Sequence, residues 1–391
     1  MNAKNKNILI AVGIYIVSAI VSYFVFSSVL GGGGGGLSTT SVNQPKIGSD
    51  QRVVFDAEAP KTEVCPLNGA KYSKAQKSWW EKHRPLGVMI ENHEESRPQS
   101  GMSFSDVVYE AVAEGGITRF LNVFYCQDAG IVGPVRSART YFLDFISEYG
   151  DYPLYAHVGG ANTPGPADAL GQIGDYGWNA YNDLNQFSIG FPTFWRDYER
   201  AGREVATEHT MYSTTDKLWK AGEARKLTNK DKDGNEWDEN FVPYKFKSPA
   251  AASKRPASQS ISFNFWPGYD AYAVKWVYDP KTNLYVRSNG GAEHLDKDTG
   301  KALTTPNIVF LFMRESRAND GYEGNLHMLY GTKGTGKATI FQDGVETQGT
   351  WSKKDRTSRL IVKDSKGQEV QFNPGKIWFE IVAPTTPVNV N

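Results

Sequence analysis

An uncharged, apolar run from Ile8 to Leu30, ILIAVGIYIVSAIVSYFVFSSVL, constrains this chain more than any other feature. It reaches the roughly 20 apolar residues that a helix needs to cross a bilayer. The apolar core of a cleaved signal peptide is usually shorter, about 7–15 residues. The run is therefore expected to stay as a transmembrane helix, with cleavage at a Val29-x-Gly31 pattern as the alternative. Lys4 and Lys6 precede it, and no positive charge follows until Lys46. The positive-inside rule then keeps the N-terminus in the cytoplasm and sends the rest of the chain outside. Six glycines, Gly31 to Gly36, and then LSTTSVNQPKIGSD make a Gly/Ser/Thr-rich spacer. Residues 1–30 thus read as a cytoplasmic tip and anchor, and residues 31–78 as a flexible linker.

With 391 residues, the chain has room for two folded domains beyond this tether. Residues 79–228 read as mixed α and β. PLGVMIEN and YPLYAHVGG have the look of short buried strands. SDVVYEAVA and ITRFLNVFYC are β-runs joined by a Glu114-Gly115-Gly116 turn. After Gly133-Pro134, the spacing of Val135, Ala138, Phe142, Phe145 and Ile146 predicts a helix from about Val135 to Tyr149. ADALGQIG and STTDKLWKAGEARK predict two more, the second capped by Ser213 or Thr214. Residues 229–260 are polar and read as a linker. From 261 to 385, short runs such as NIVFLFMRE and KIWFEIVA, broken at turns like Asp343-Gly344, predict a β-rich domain. The expected class is α+β: a transmembrane helix, a mixed α/β first domain and an all-β second domain.

Charge and cysteine content narrow the function. Lys+Arg, at 43, balance Asp+Glu, at 43, so no global basic field draws nucleic acid, and no nucleic-acid partner is expected. Two cysteines exclude a disulfide-dense scaffold and a Cys-rich zinc module. Outside the membrane, Cys65 and Cys126 either bridge or stay as two buried thiols. The remaining histidines show no HExxH or HxH spacing, so neither a metal site nor any other cofactor is expected. Gly331 to Ala338 nearly spells a phosphate loop, but Ala338 stands where Ser or Thr must hold magnesium.

The densest polar chemistry lies between Asn92 and His157. On the expected helix, Arg136 and Arg139 share a face of the first turn, where the macrodipole disfavours cations. An anion would offset that cost; so would pairing with Asp106, Glu110 or Glu114. Arg119 lies on a strand, and Asn92 and Arg97 follow another. If those strands are neighbours, Asn92, Arg97, Asp106, Glu110, Arg119, Arg136 and Arg139 converge on one ligand site. His157, ahead of Gly159 and Gly160, is the candidate ligand or base beside them.

RPQSG (97–101), SDVVYE (105–110), EGGITRF (114–120), GPVRSAR (133–139) and AHVGG (156–160), with GKATIFQDGVETQGTWSK and GKIWFEIVA later, resemble the YerB family of bacterial envelope proteins. The resemblance covers about residues 80–385 and implies a two-part domain of unknown function outside the bacterial membrane. Many members look like lipoproteins, whereas no cysteine follows the apolar run here to accept a lipid. The block order is also similar in outline to the LytR–CpsA–Psr envelope phosphotransferases, an analogy of layout that transfers no residue. Three readings of function follow. The first is a membrane-anchored protein that binds an anionic envelope ligand or an envelope protein through an arginine-rich cleft. The second is an envelope enzyme acting on a polyprenyl-linked phosphate or pyrophosphate, with Arg119, Arg136 and Arg139 clamping the anion and Asp106 or Glu110 as base or metal ligand. The third is a structural scaffold.

Overall fold

The computed structural model describes residues 46–48, 51–324 and 326–391. The expected anchor over Ile8–Leu30 lies outside the described residues, and among those described no helix is long and apolar enough to cross a membrane. The folded chain begins earlier than Trp79. Strands β1 (Lys61–Val64) and β2 (Lys71–Ser73) form a hairpin that leads into α1 (Lys74–Trp80). Ser73 caps that helix, and Gln76 reaches back to the Ser73 N–H in a capping box. Two contacts tie this segment down: Trp80 is buried, and Cys65 is bridged to Cys126 across a Cα–Cα distance of 6.0 Å.

The first half then supplies β3 (Leu86–Glu91), β4 (Val107–Glu114), β5 (Ile117–Phe124), α2 (Thr140–Ile146), β6 (Leu154–His157), α3 (Ala169–Asp175), β7 (Asp183–Asn185), β8 (Met211–Thr214) and α4 (Thr215–Ala224). The second half supplies β9 (Ser260–Phe263), β10 (Val274–Asp279), β11 (Leu284–Asn289), β12 (Asn307–Phe312), β13 (Gly334–Gln342), β14 (Val345–Lys353), β15 (Ile361–Asp364), β16 (Ile377–Val382) and β17 (Asn389–Val390). Gly115 and Gly116 make the two-residue β4–β5 turn with φ of 54° and 82°, which glycine adopts without cost. Thr214 caps α4 by accepting from the Lys217 N–H. The near-phosphate loop runs straight into β13, whose antiparallel partner is β14.

One mixed sheet runs through both halves in the order β7-β6-β3-β5-β4-β16-β12-β13-β14-β15. The joint is β4 against β16, parallel, with Ile377 opposite Val107 and Glu380 opposite Glu110. Residues 46–391 accordingly form one unit, and residues 229–260 bury Trp237 and Tyr244 in its core. A second sheet, all antiparallel, carries β11, β10, β9 and β17 in that order. It covers one face of the joint, where Trp276 meets Trp378 edge-on at 5.1 Å. The opposite face is closed by α2: Tyr109 lies stacked between Phe145 at 4.6 Å and Phe379 at 4.8 Å. Both faces of β4 are therefore buried, which explains its nearly continuous apolar sequence.

The expected helix from Val135 is corrected. Helix α2 starts only at Thr140, and residues 134–138 are extended. Their backbone groups go to three neighbours: the Glu91 N–H bonds the Pro134 carbonyl, the Val135 and Arg136 N–H groups bond Met211 and Met89, and Val158 bonds Arg136. Every main-chain group must find a partner, and here strands won over a helical turn. Gly133, at φ 143°, lets the chain pass; a Cβ there would stand 2.9 Å from the Met211 carbonyl oxygen.

Candidate functional site

The eight residues singled out in the sequence fall into five places. Asn92 and Glu110 belong to a buried polar seam between the two sheets, and Arg97 bonds it from a half-buried position. The Asn92 amide donates to Thr118 Oγ1 at 2.7 Å, and its Oδ1 accepts from Asn289 at 2.6 Å and Arg97 Nε at 3.1 Å. Glu110 accepts from Thr118 at 2.8 Å and pairs with Arg287 at 2.5 Å. Arg287 lies within 6 Å of three aromatic rings, and His294 donates or accepts at 2.8 Å with Gln99. Most of these groups serve one another, so the seam joins the halves, although Arg287 Nε and Asn289 Oδ1 find no hydrogen-bond partner.

Arg119 and Arg139 converge on Glu114. Arg119 Nη2 lies 2.9 Å from Glu114 Oε1, and Arg139 pairs with Oε2. Their other bonds go to the carbonyls of Ser137 and Ala138. Burial opposes ionisation of Glu114, but Arg119, Arg139 and Arg136 outweigh it and hold the carboxyl down at about 2. Asp106 sits at the far end of β4, away from every arginine of the cluster. Its carboxylate accepts from Asn68 Nδ2 and from the Tyr125 and Cys126 N–H groups, at 2.6, 2.7 and 2.9 Å. His157 is fully buried, with Nε2 2.5 Å from Asp183 and Nδ1 2.6 Å from the Gly159 carbonyl.

The Asp106 environment carries a pH prediction. Burial pushes its carboxyl up to about 7, against three N–H donors and Lys376 that pull it down. A folded-state pKa above the unfolded value means stability that is full below about pH 4 and fades as pH rises through about 7. Asp106→Asn keeps the shape and removes the titration. The melting temperature of the native chain relative to that variant is therefore expected to fall between pH 4 and 7; a constant difference would refute the assignment.

Arg136 is half-buried and lines an open groove. Its Nε lies 3.0 Å from Glu91 Oε1 in an ion pair without hydrogen-bond alignment, and its two terminal nitrogens meet no acceptor among the described residues. It lines a groove of about 450 Å³ with Ser137, Gly159, Gly160, Asn162 and Arg196. Phe187, 77% exposed, forms the rim, and Glu208 is the acid on the wall. Arg196 reaches the Thr207 carbonyl. The larger cavity, of about 810 Å³ near β14 and β15, holds Lys353 and Arg359, but Glu148 and Glu369 neutralise them.

Three groups escaped the sequence reading. Arg196 and Phe187 lie in the long polar segment after β7, where bare aromatics in NQFSIGFPTFW were a usable signal. Arg287 and Glu380 gave no signal, because their partner Glu110 is remote in sequence. Glu91, His93 and Glu95 alternate in sequence, but His209, which joins them, comes from beyond β7.

A two-part body whose halves share one sheet is thus the class of protein at hand. Residues 71–228 match the model described as "Protein of unknown function (DUF3048) N-terminal domain", residues 261–379 match its C-terminal counterpart, and the chain belongs to this family. It is 30% identical over 322 residues to "Putative lipoprotein YerB" of Bacillus subtilis, covering 81% of this chain and 86% of that one. The crystal structure of the YerB protein from Bacillus subtilis matches with a TM-score of 0.66 at 26% identity, covering 84% of this chain and all of the other. The resemblance read from the motifs is therefore family membership.

Proposed function

We propose that this is an extracytoplasmic envelope protein, held at the membrane by its N-terminal segment, which binds a phosphate- or pyrophosphate-bearing envelope component in the Arg136 groove. The observation that carries this reading is the open guanidinium of Arg136, unpaired at its terminal nitrogens in a groove shared with Arg196. Arginine suits such anions because its planar fork donates two parallel hydrogen bonds. Phe187 at the rim offers an apolar face to a prenyl chain or a sugar ring. The apolar run Ile8–Leu30 and the name of the Bacillus relative, a putative lipoprotein, support the membrane location by different anchors. The acids suggested for catalysis lie elsewhere, Asp106 beside the disulfide and Glu110 under Arg287, which favours binding over turnover.

The test is the melting temperature of the full-length chain in detergent, with polyprenyl pyrophosphate or inorganic pyrophosphate. A ligand at about 100 times its Kd adds about 2.7 kcal/mol to the native state. A rise in the native chain that Arg136→Ala/Arg196→Ala abolishes, without a lower starting melting temperature, is the expected result. No rise with either compound, or an equal rise in the variant, would overturn the reading.

A further inference from the structure

Beside the groove, on the far side of Glu91, three potential donors meet that the reading above does not use. His93 opens the short 3-10 turn after β3, Glu95 lies within it, and His209 stands just before β8. One ring nitrogen of each histidine and one oxygen of Glu95 lie within 4.8 Å of one another. The geometry points to a binding site for a zinc-class divalent cation, held by His93, Glu95 and His209.

The surrounding bonds aim these donors. His209 Nδ1 lies 2.8 Å from Glu91 Oε2, a contact that directs the Nδ1 proton to the carboxylate, so that Nε2 is the nitrogen that ligates when the ring is neutral. That Nε2 faces Glu95 Oε2 at 3.7 Å. A carboxylate behind a ligating histidine is the usual second layer of a metal site; it fixes the ring and raises its basicity. His93 Nδ1 accepts from the Glu95 N–H at 3.2 Å, which leaves a lone pair on that nitrogen in a weak contact a metal can replace. The two imidazoles lie parallel, 4.5 Å between centroids and 6° between planes.

The loop that carries the donors is tied to its partner segment. Arg203 donates to the carbonyls of Glu94 and Glu95 at 2.9 and 3.2 Å, and the Ala206 N–H bonds Glu95 Oε2 at 2.9 Å. Donors about 2.1 Å from a tetrahedral zinc stand about 3.4 Å apart, so the site closes by about an ångström on binding. Two imidazoles and one carboxylate suit zinc and its neighbours, whereas calcium takes six to eight oxygens. Three protein donors leave a fourth position open, and Glu95, with its side chain 44% exposed, places that position toward solvent. The charges permit it: Glu91 pairs with Arg136, and the Arg203 charge acts on Glu95. The site stands whether or not the groove holds an anion.

The probe is Zn²⁺ alone, titrated by calorimetry into the full-length chain after chelator treatment, with metal content measured after gel filtration. Binding of about one equivalent per chain is expected, with Co²⁺ giving the visible bands of a tetrahedral site. His93→Gln and Glu95→Gln change residues that are not fully buried, so the fold survives them and binding is lost. Glu91→Gln leaves all three donors and weakens binding by about 10–100-fold. Substoichiometric binding to the native chain would overturn the site, as would undiminished binding to His93→Gln.

Discussion

Replacing Arg287 by Met is expected to lower stability by about 3–5 kcal/mol, the cost of leaving a buried charge without its partner. For a body of this size that is a fall of about 4–7 °C in melting temperature. Arg287 and Glu110 are both fully buried, and their contact at 2.5 Å crosses from the second sheet to β4. Glu380 stands opposite Glu110 on β16. Burial and the Glu110 charge push the Glu380 carboxyl well above the usual carboxylate range, so it keeps its proton and Arg287 serves one carboxylate. The Trp276 indole donates to Glu380 at 3.0 Å and completes the set. The variant Glu110→Gln/Arg287→Met buries no lone charge, and it should recover stability relative to Arg287→Met by about 0.5–3 kcal/mol of coupling. Denaturant unfolding checks both numbers. Strictly additive losses would show that the pair is not coupled. Two separate transitions in the native chain would show that the halves fold independently.

Loss of the disulfide has a comparable effect. Cys65 and Cys126 are 61 residues apart, and closing such a loop in the unfolded chain is worth about 4 kcal/mol in the chain-entropy account. Cys65→Ala/Cys126→Ala should therefore melt about 6 °C lower. The bridge does more than shorten the unfolded chain: it holds the β1–β2 hairpin against the end of β5, beside the Asp106 carboxylate that accepts the Cys126 N–H. Both sulfurs are buried, so thiol trapping after mild reductant should find none free until the protein is also denatured. Free thiols in the untreated native chain, or an unchanged melting temperature in the variant, would contradict the pairing.

The local elements were legible because local chemistry makes them. Two glycines with positive φ specify the β4–β5 turn, and Asp343-Gly344 does the same between β13 and β14. Thr214 announces α4 through its cap. The motif blocks were specific enough to name the family. The candidate site was legible in part. The arginines of GPVRSAR were found, but whether each is buried or open was not. Alternation along β5 puts Arg119 on one face and Phe120 on the other; it does not say that Glu114 and Arg139 wait on the first.

Sequence alone therefore determined the β4–β5 and β13–β14 turns, the capped helix α4 and the family. These follow from spacings of a few residues, where torsional preference and periodicity decide. Tertiary structure alone decided three things: that residues 134–138 are extended, that Glu110 meets Glu380 and Arg287, and that Arg136 lines an open groove while Arg119 and Arg139 are buried on Glu114. In each case the outcome depends on which distant strand supplies a hydrogen-bond partner or an opposite charge. That choice is made by burial and pairing across the whole sheet, on which the neighbouring residues along the chain have no vote.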